Sequence, residues 1–435
     1  MKNTPIDYNT VSKAIKESGH ECVGKASIRE IKFLIDTIEK KSGDKFVRME
    51  MGIPGFPASK IATDAEKQAL DNGVASLYPN IDGVPELKTE ISRFVKNYIN
   101  IDVSPKACIP TVGSINGNYG TFMVAGRMDE KKDTVLFIDP GFPVHKQLVK
   151  MLGLKQESFD VYNFRGAKLK EKLESYLKKG NISVILYSNP NNPTWICFND
   201  EELRIIGELA TKYDVVVEED LAYFAMDFRK DMSKPGEPPY QPSVANYTDN
   251  YVLMISSSKA FSYAGQRVGM MCISDKLFNR DFKRLLNYYS TSNFGHAVAY
   301  GTLYATTSGV THSAQYGLLA LLKATNNGEY NPWEVVRKYG ERARKAKKLF
   351  TDNGFNIVYD TDIDQPIADG FYFTISYPGF TGEQLLEELM YYGVSAISLS
   401  TTGSEREGLR ACVSFIADNQ FPQLEERLKK FKENH

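Results

Sequence analysis

The sequence has no run approaching the ~20 consecutive apolar residues that a membrane-spanning helix requires, so a bilayer-embedded function is excluded at the outset. It is also poor in cysteine. The five present, Cys22, Cys108, Cys197, Cys272 and Cys412, lie far apart, with no C-x-x-C pair and no set of histidines to complete a zinc site. That excludes a disulfide framework and a zinc cluster, leaves no expected metal, and suits buried thiols in a reducing, cytoplasmic setting. Histidine is scarce as well, with five in all, and His145 and His296 read as structural. An excess of one charge is missing: 53 basic and 54 acidic side chains leave a net charge of −1. Nothing in that balance draws the chain to nucleic acid or an anionic membrane, so a charged partner must be met by a local pocket and is expected to be small. The amino terminus, M-K-N-T-P-I-D-Y-N-T, lacks the apolar core of a secretory signal.

At 435 residues the chain exceeds one ordinary domain, which predicts two. Residues 1–57 read as a helical segment followed by the turn-rich connector M-G-I-P-G-F-P, too short to stand alone and expected to pack with a small carboxyl-terminal domain, residues 311–435. Between them, residues 58–310 alternate short apolar runs with amphipathic helices. The runs are T-V-L-F-I-D, I-S-V-I-L-Y, V-V-V-E-E-D, Y-V-L-M-I-S and V-G-M-M-C-I. Such a pattern predicts an α/β large domain with a mostly parallel sheet covered by helices on both faces, and a smaller α+β domain beside it. Thr63 and Glu66 read as a capping box opening a helix. A second helix from Pro85 carries Leu87, Ile91, Phe94, Val95 and Tyr98 on one face. The proline-rich stretch 230–250 reads as a surface loop.

Ligands of a parallel sheet sit beyond the carboxyl ends of its strands, and each polar motif lies at such an end. T-V-G-S-I-N-G-N-Y-G, residues 111–120, can aim backbone N–H groups at a phosphate, although its glycine spacing departs from the G-x-G-x-x-G of dinucleotide sites. D-P-G-F-P-V-H offers Phe142, which suits either stacking on a flat heterocycle or core packing. N-P-N-N-P-T-W, residues 189–195, fixes a rigid turn able to point an amide into a pocket. E-E-D-L-A-Y places Asp220 and Tyr223 at a buried strand end, where a carboxylate needs a cation or proton donor. Finally S-S-S-K-A-F-S-Y-A-G-Q-R-V-G, residues 256–269, puts Lys259 at a strand exit with Arg267 eight residues on. A desolvated lysine amine there can trap a carbonyl as a Schiff base. Taken alone, S-x-x-K equally suits penicillin-recognising acyltransferases.

Taken together and in this order, these motifs resemble the fold type I, class I/II aminotransferases that depend on pyridoxal phosphate. The likeness runs from about Gly52 to Arg410 and is most specific at N-P-N-N-P-T, D-L-A-Y and S-S-S-K with Arg267. It implies that Lys259 holds the cofactor aldehyde and later moves the substrate proton, and that Asp220 keeps the ring nitrogen protonated. It assigns Asn192 and Tyr223 to the phenolic oxygen and Phe142 to the ring. The phosphate falls to Ser256, Ser258, Arg267 and the Gly113-Ser114-Ile115 backbone. Arg410 would grip the substrate carboxylate bidentately, with Gly52 beneath the amino-terminal segment. Tyr78 would reach the phosphate of a neighbouring subunit, implying a homodimer with shared active sites. An aminotransferase acting on an L-amino acid and a 2-oxo acid by a ping-pong route is therefore expected. A lyase or decarboxylase of the same fold is the nearest alternative, and a non-catalytic amino-acid sensor a more distant one. Two departures stand out: Trp195 takes the place of the usual glycine, as though reshaping the pocket mouth, and Ile115-Asn116 replaces a polar pair.

Overall fold

The computed structural model describes residues 3–435. Seven strands form the main sheet, in the spatial order Cys108–Thr111, Gly269–Ile273, Tyr251–Ser256, Val216–Leu221, Ile182–Ser188, Thr134–Asp139 and Lys155–Asp160. All run parallel except Gly269–Ile273, which is antiparallel to both neighbours. Five strands match the apolar runs read from the sequence, and every residue in those five is buried. Burial on both faces favours unbroken Val/Ile/Leu sequences over alternating ones. Lys155–Asp160 (K-Q-E-S-F-D) carries no such signature, because it is an edge strand with half its residues toward water.

The helices end where local chemistry directs. Asp200–Lys212 starts at a reciprocal box between Asn199 and Glu202, and Ile28–Ser42 at one between Ser27 and Glu30. Pro85–Ile99 begins at proline and buries the apolar face expected of it. The box expected at Thr63 and Glu66 is not formed. Ser59 caps the helix Lys60–Asp71, leaving Thr63 and Glu66 inside it, where Glu66 accepts hydrogen bonds from Tyr263 Oη (2.6 Å) and Ser313 Oγ (3.2 Å).

Two hydrophobic cores result. The larger surrounds the main sheet; the smaller joins Ile31, Leu34, Ile35 and Ile38 of the amino-terminal segment to Phe350, Leu386, Leu389, Leu428 and Phe431 near the other end of the chain. The strand Val47–Arg48 pairs with Val394–Ser395, fastening the amino-terminal segment to this second core, which also carries the antiparallel sheet Ile397–Ser398, Leu409–Cys412, Tyr372–Ser376 and Asn356–Ile357. The expected changeover after residue 310 comes early. Helix His312–Asn326 packs on Lys60–Asp71 and Pro85–Ile99, and Trp333 and Tyr339 belong to the larger core, so the second core resumes at Ala343. Nor is 230–250 wholly a surface loop: Gln241 accepts from the Ala225 N–H (2.8 Å), and Ser243 donates to buried Glu219 (2.5 Å). Among the described residues no helix is long and apolar enough to cross a membrane, and no group of metal-ligating side chains occurs.

Candidate functional site

The carboxyl ends of the parallel strands and the connector between the cores converge on Lys259. This residue is half-buried, and its amine donates to the Gly52 carbonyl and lies 5.5 Å from the centre of the Phe371 ring. Burial pulls its pKa down to about 8, with the positive charges of Arg410 and Arg267 acting in the same direction. No carboxylate among the described residues forms an ion pair with it. A lysine in this condition is deprotonated far more readily than a solvated one, as carbonyl chemistry requires.

Asp220, next to last in the neighbouring strand and 6% exposed, accepts only the Ala222 N–H (3.1 Å) among the described residues. Desolvation pushes its carboxyl up to about 7. The nearest basic group is the imidazole of His145, 3.9 Å away, which is itself buried and held down to about 4, hence neutral. His145 Nδ1 has no hydrogen-bond partner among the described residues. His145 was read from the sequence as structural; its position beneath Asp220 depends on the helix Pro143–Met151, whose packing no motif announces. Phe142, at the cap of that helix, meets the His145 ring edge-on at 5.5 Å.

Arg410, 1% exposed, donates from Nη1 to Asn192 Oδ1 (3.3 Å) and from Nη2 to the Glu50 carbonyl, while its Nε has no partner among the described residues. The Tyr372 ring lies 4.5 Å from its guanidinium carbon. Tyr372 also shares a hydrogen bond with Tyr223, Oη to Oη 2.7 Å, and was not singled out in the sequence. Burial and this neighbour raise the Tyr223 phenol well above its usual value. A Cβ on Gly52 would fall 1.8 Å from Tyr372 Oη, so only glycine fits there.

Arg267 lies against Gly113, where a Cβ would come within 2.2 Å of Nη2. Gly113 opens the helix Gly113–Ala125, so free N–H groups of Ser114 and Ile115, the helix dipole and one guanidinium share a corner. Ser256 pairs with Gly269, which lies against the Gly113–Ser114 backbone, and its Oγ accepts from the Ser258 N–H (3.1 Å). Asn116 departs from a ligand-facing role: its side chain accepts from the Val112 N–H (3.2 Å) and donates to Thr306 Oγ1 (3.4 Å).

Two residues stand elsewhere. Tyr78 is 91% exposed and outside the buried cluster. Trp195 is fully buried, with φ +66°, its ring 5.2 Å from Tyr223 and 6.2 Å from Tyr372. It backs the site instead of forming its mouth, and it fits because Gly370 leaves room, a Cβ there falling 1.9 Å from the indole.

Among the described residues, three cations without carboxylate partners, one anion without a cation and a corner of free N–H groups form a set suited to a ligand that brings the missing charges. Pyridoxal phosphate fits this set, with an aldehyde for Lys259, a phosphate for the Gly113–Arg267 corner and a protonated ring nitrogen for Asp220.

Residues 45–358 match the family described as aminotransferase class I and II. Among curated relatives, the chain is 27% identical over 279 residues to a probable aspartate aminotransferase of Methanocaldococcus jannaschii, covering 64% of this chain and 67% of that one. It is 25% identical over 261 residues to an aspartate aminotransferase of Sulfolobus acidocaldarius, covering 58% and 62%. The matched part thus spans roughly two thirds of each relative's length. The fold is that of an aspartate aminotransferase from Thermotoga maritima, with a TM-score of 0.75 at 20% identity, covering 96% of this chain and 99% of that structure.

Proposed function

The chain belongs to the class I and II aminotransferase family, and we propose that it is a pyridoxal-phosphate-dependent transaminase moving an amino group between an L-amino acid and a 2-oxo acid by a ping-pong route. The observation that carries this is the unpaired charge set around Lys259: a lysine held near pKa 8, a buried Asp220 lacking a cation and a buried Arg410 lacking an anion. When bound, the cofactor supplies an electron sink that makes the substrate Cα–H acidic.

The residues divide the remaining work. Arg410 presents its guanidinium fork to the substrate carboxylate, with Asn192 and Glu50 fixing the fork's plane. That would orient the substrate Cα–H bond toward Lys259, whose amine would be the base that takes and carries the Cα proton. The Gly52 carbonyl orients that amine. Asp220, ionised against the ring nitrogen, holds a proton there, and neutral His145 beside it adds no competing charge. Asn192 and Tyr223 address the phenolic oxygen. Ser256, Ser258, Arg267 and the Gly113-Ser114-Ile115 N–H groups take the phosphate, and Phe142 flanks the ring. Tyr78, exposed in one chain, serves the phosphate of a second copy in a homodimer. Five free thiols suit a cytoplasmic setting.

The test is a half-reaction. Protein supplied with pyridoxal phosphate and then an amino acid alone should exchange its visible absorbance for that of the amine form, and a 2-oxo acid should restore it. Lys259→Ala should lack the visible band and lose at least about 1,000-fold in turnover. Release of ammonia or carbon dioxide without an acceptor would assign the reaction to a lyase or decarboxylase instead.

A further inference from the structure

Tyr372 lies at a junction that no motif marks. It opens the strand Tyr372–Ser376, whose antiparallel register sets Tyr372 opposite Cys412 and Thr374 opposite Arg410, so Tyr372 and Arg410 are diagonal neighbours on one face. Three site residues meet on its side chain: Arg410 on the ring face at 4.5 Å, Tyr223 at the hydroxyl at 2.7 Å with the rings edge to face, and Gly52 closing the hydroxyl's far side. Among the described residues its hydroxyl has one hydrogen-bonding neighbour, Tyr223.

In a pair of buried phenols one O–H donates to the other and the second is left free to point elsewhere. In the structure Tyr223 donates to Tyr372 Oη; when Tyr223 instead faces an acceptor oxygen on a ligand, the arrangement that satisfies every group reverses this bond, with Tyr372 donating to Tyr223 Oη and Tyr223 donating onward. A hydroxyl that accepts one hydrogen bond becomes a better donor in the next. The ring face acts separately: a stacked guanidinium is kept planar and oriented, and in a desolvated site the cation–π contact is strong.

Resting on the transaminase reading above, we propose that Tyr372 is a positioning residue with two separable roles. Its hydroxyl turns Tyr223 into a directed donor toward the cofactor's phenolic oxygen, and its ring holds Arg410 in the plane that receives the substrate carboxylate. Phenylalanine at 372 removes the first role and keeps the second; leucine removes both.

The measurement is a pH titration of visible absorbance in the pyridoxal-phosphate-loaded protein without substrate, together with steady-state kinetics. For Tyr372→Phe the midpoint should rise by about half a pH unit, because a less well stabilised phenolic oxygen favours the protonated chromophore. KM for the amino acid should stay within about twofold while kcat falls, whereas Tyr372→Leu should raise KM about tenfold through the loosened Arg410. Tyr223→Phe should raise the midpoint further, and adding Tyr372→Phe to it should move the midpoint no more, since the relay is already cut. This last comparison stands even where Tyr372→Leu fails to fold. An unmoved midpoint in Tyr372→Phe, or additive shifts in the double variant, overturns the hydroxyl's role. A KM increase in Tyr372→Phe equal to that in Tyr372→Leu overturns the division of roles. A parent protein that develops no visible band overturns the transaminase reading itself, and the inference with it.

Discussion

Asp220 should destabilise the cofactor-free protein in a way that pH reveals. Its carboxyl is raised from 3.8 to about 7 by burial, opposed only by the Ala222 N–H. Between about pH 4 and pH 7 the folded chain keeps a proton that the unfolded chain has released, so stability falls as pH rises through that window and then levels. At about 1.4 kcal/mol per pKa unit, the penalty is roughly 2 kcal/mol at pH 5.5 and roughly 4 kcal/mol at pH 8.5. Asp220→Asn removes the titration while its side-chain oxygen still accepts from Ala222. Urea denaturation of the cofactor-free proteins should therefore show the variant more stable than the parent, by about 2 kcal/mol more at pH 8.5 than at pH 5.5. Adding pyridoxal phosphate should narrow or reverse the order, because only the parent gains a charge partner for the ring nitrogen. A variant no more stable than its parent at pH 8.5, or a gap that does not change with pH, would refute the claim that Asp220 waits uncompensated for a cation.

Arg410→Lys keeps the charge but loses the fork and the flat face stacked on Tyr372; KM for the amino acid should rise about 100-fold, corresponding to about 3 kcal/mol, with a smaller loss in kcat. Initial rates over a range of amino acid concentration decide this. Trp195→Gly restores a residue at ease with φ +66°, but empties the space of a fully buried indole beside Tyr223 and Gly370. A net loss of about 3 kcal/mol is expected, since a large aromatic cavity outweighs about 1 kcal/mol of relieved backbone strain. A thermal melt above the parent's would show the strain to be the larger effect.

What could be read from the amino-acid order followed from how local the cause was. Lys259, Asp220 and Asn192 lie in short motifs at the ends of fully buried strands, and those strands announce themselves by their Val/Ile/Leu-rich runs. Helix Pro85–Ile99 is set by one proline and one stripe. The edge strand Lys155–Asp160 was silent because half of it faces water. Thr63 and Glu66 have the composition of a capping box, yet Ser59 lies one turn earlier and takes the cap. The break at 310 follows a shift in composition, whereas the cores divide where side chains meet, with His312–Asn326 still seated on the large one. His145 and Tyr372 were hidden for a different reason: each gains its neighbour through pairing or packing across the fold, 75 residues away for Asp220 and 149 for Tyr223. No periodicity encodes that.

The segment 49–57, the connector with the two residues before it, is fastened by groups made later in the chain. Its carbonyls receive the Cys412 N–H, Arg410, Ser414 and Lys259, and its Gly55 N–H reaches Tyr339. The lysine's partner is thus made 207 residues before it, and the groups that pin the connector are made some 150 residues after it. During synthesis on the ribosome, the large sheet can close while Lys259 still faces water. Its amine acquires its final surroundings only as the last strand, Leu409–Cys412, emerges, so over the roughly 150 intervening residues the nascent chain carries its most reactive group as an ordinary solvated lysine.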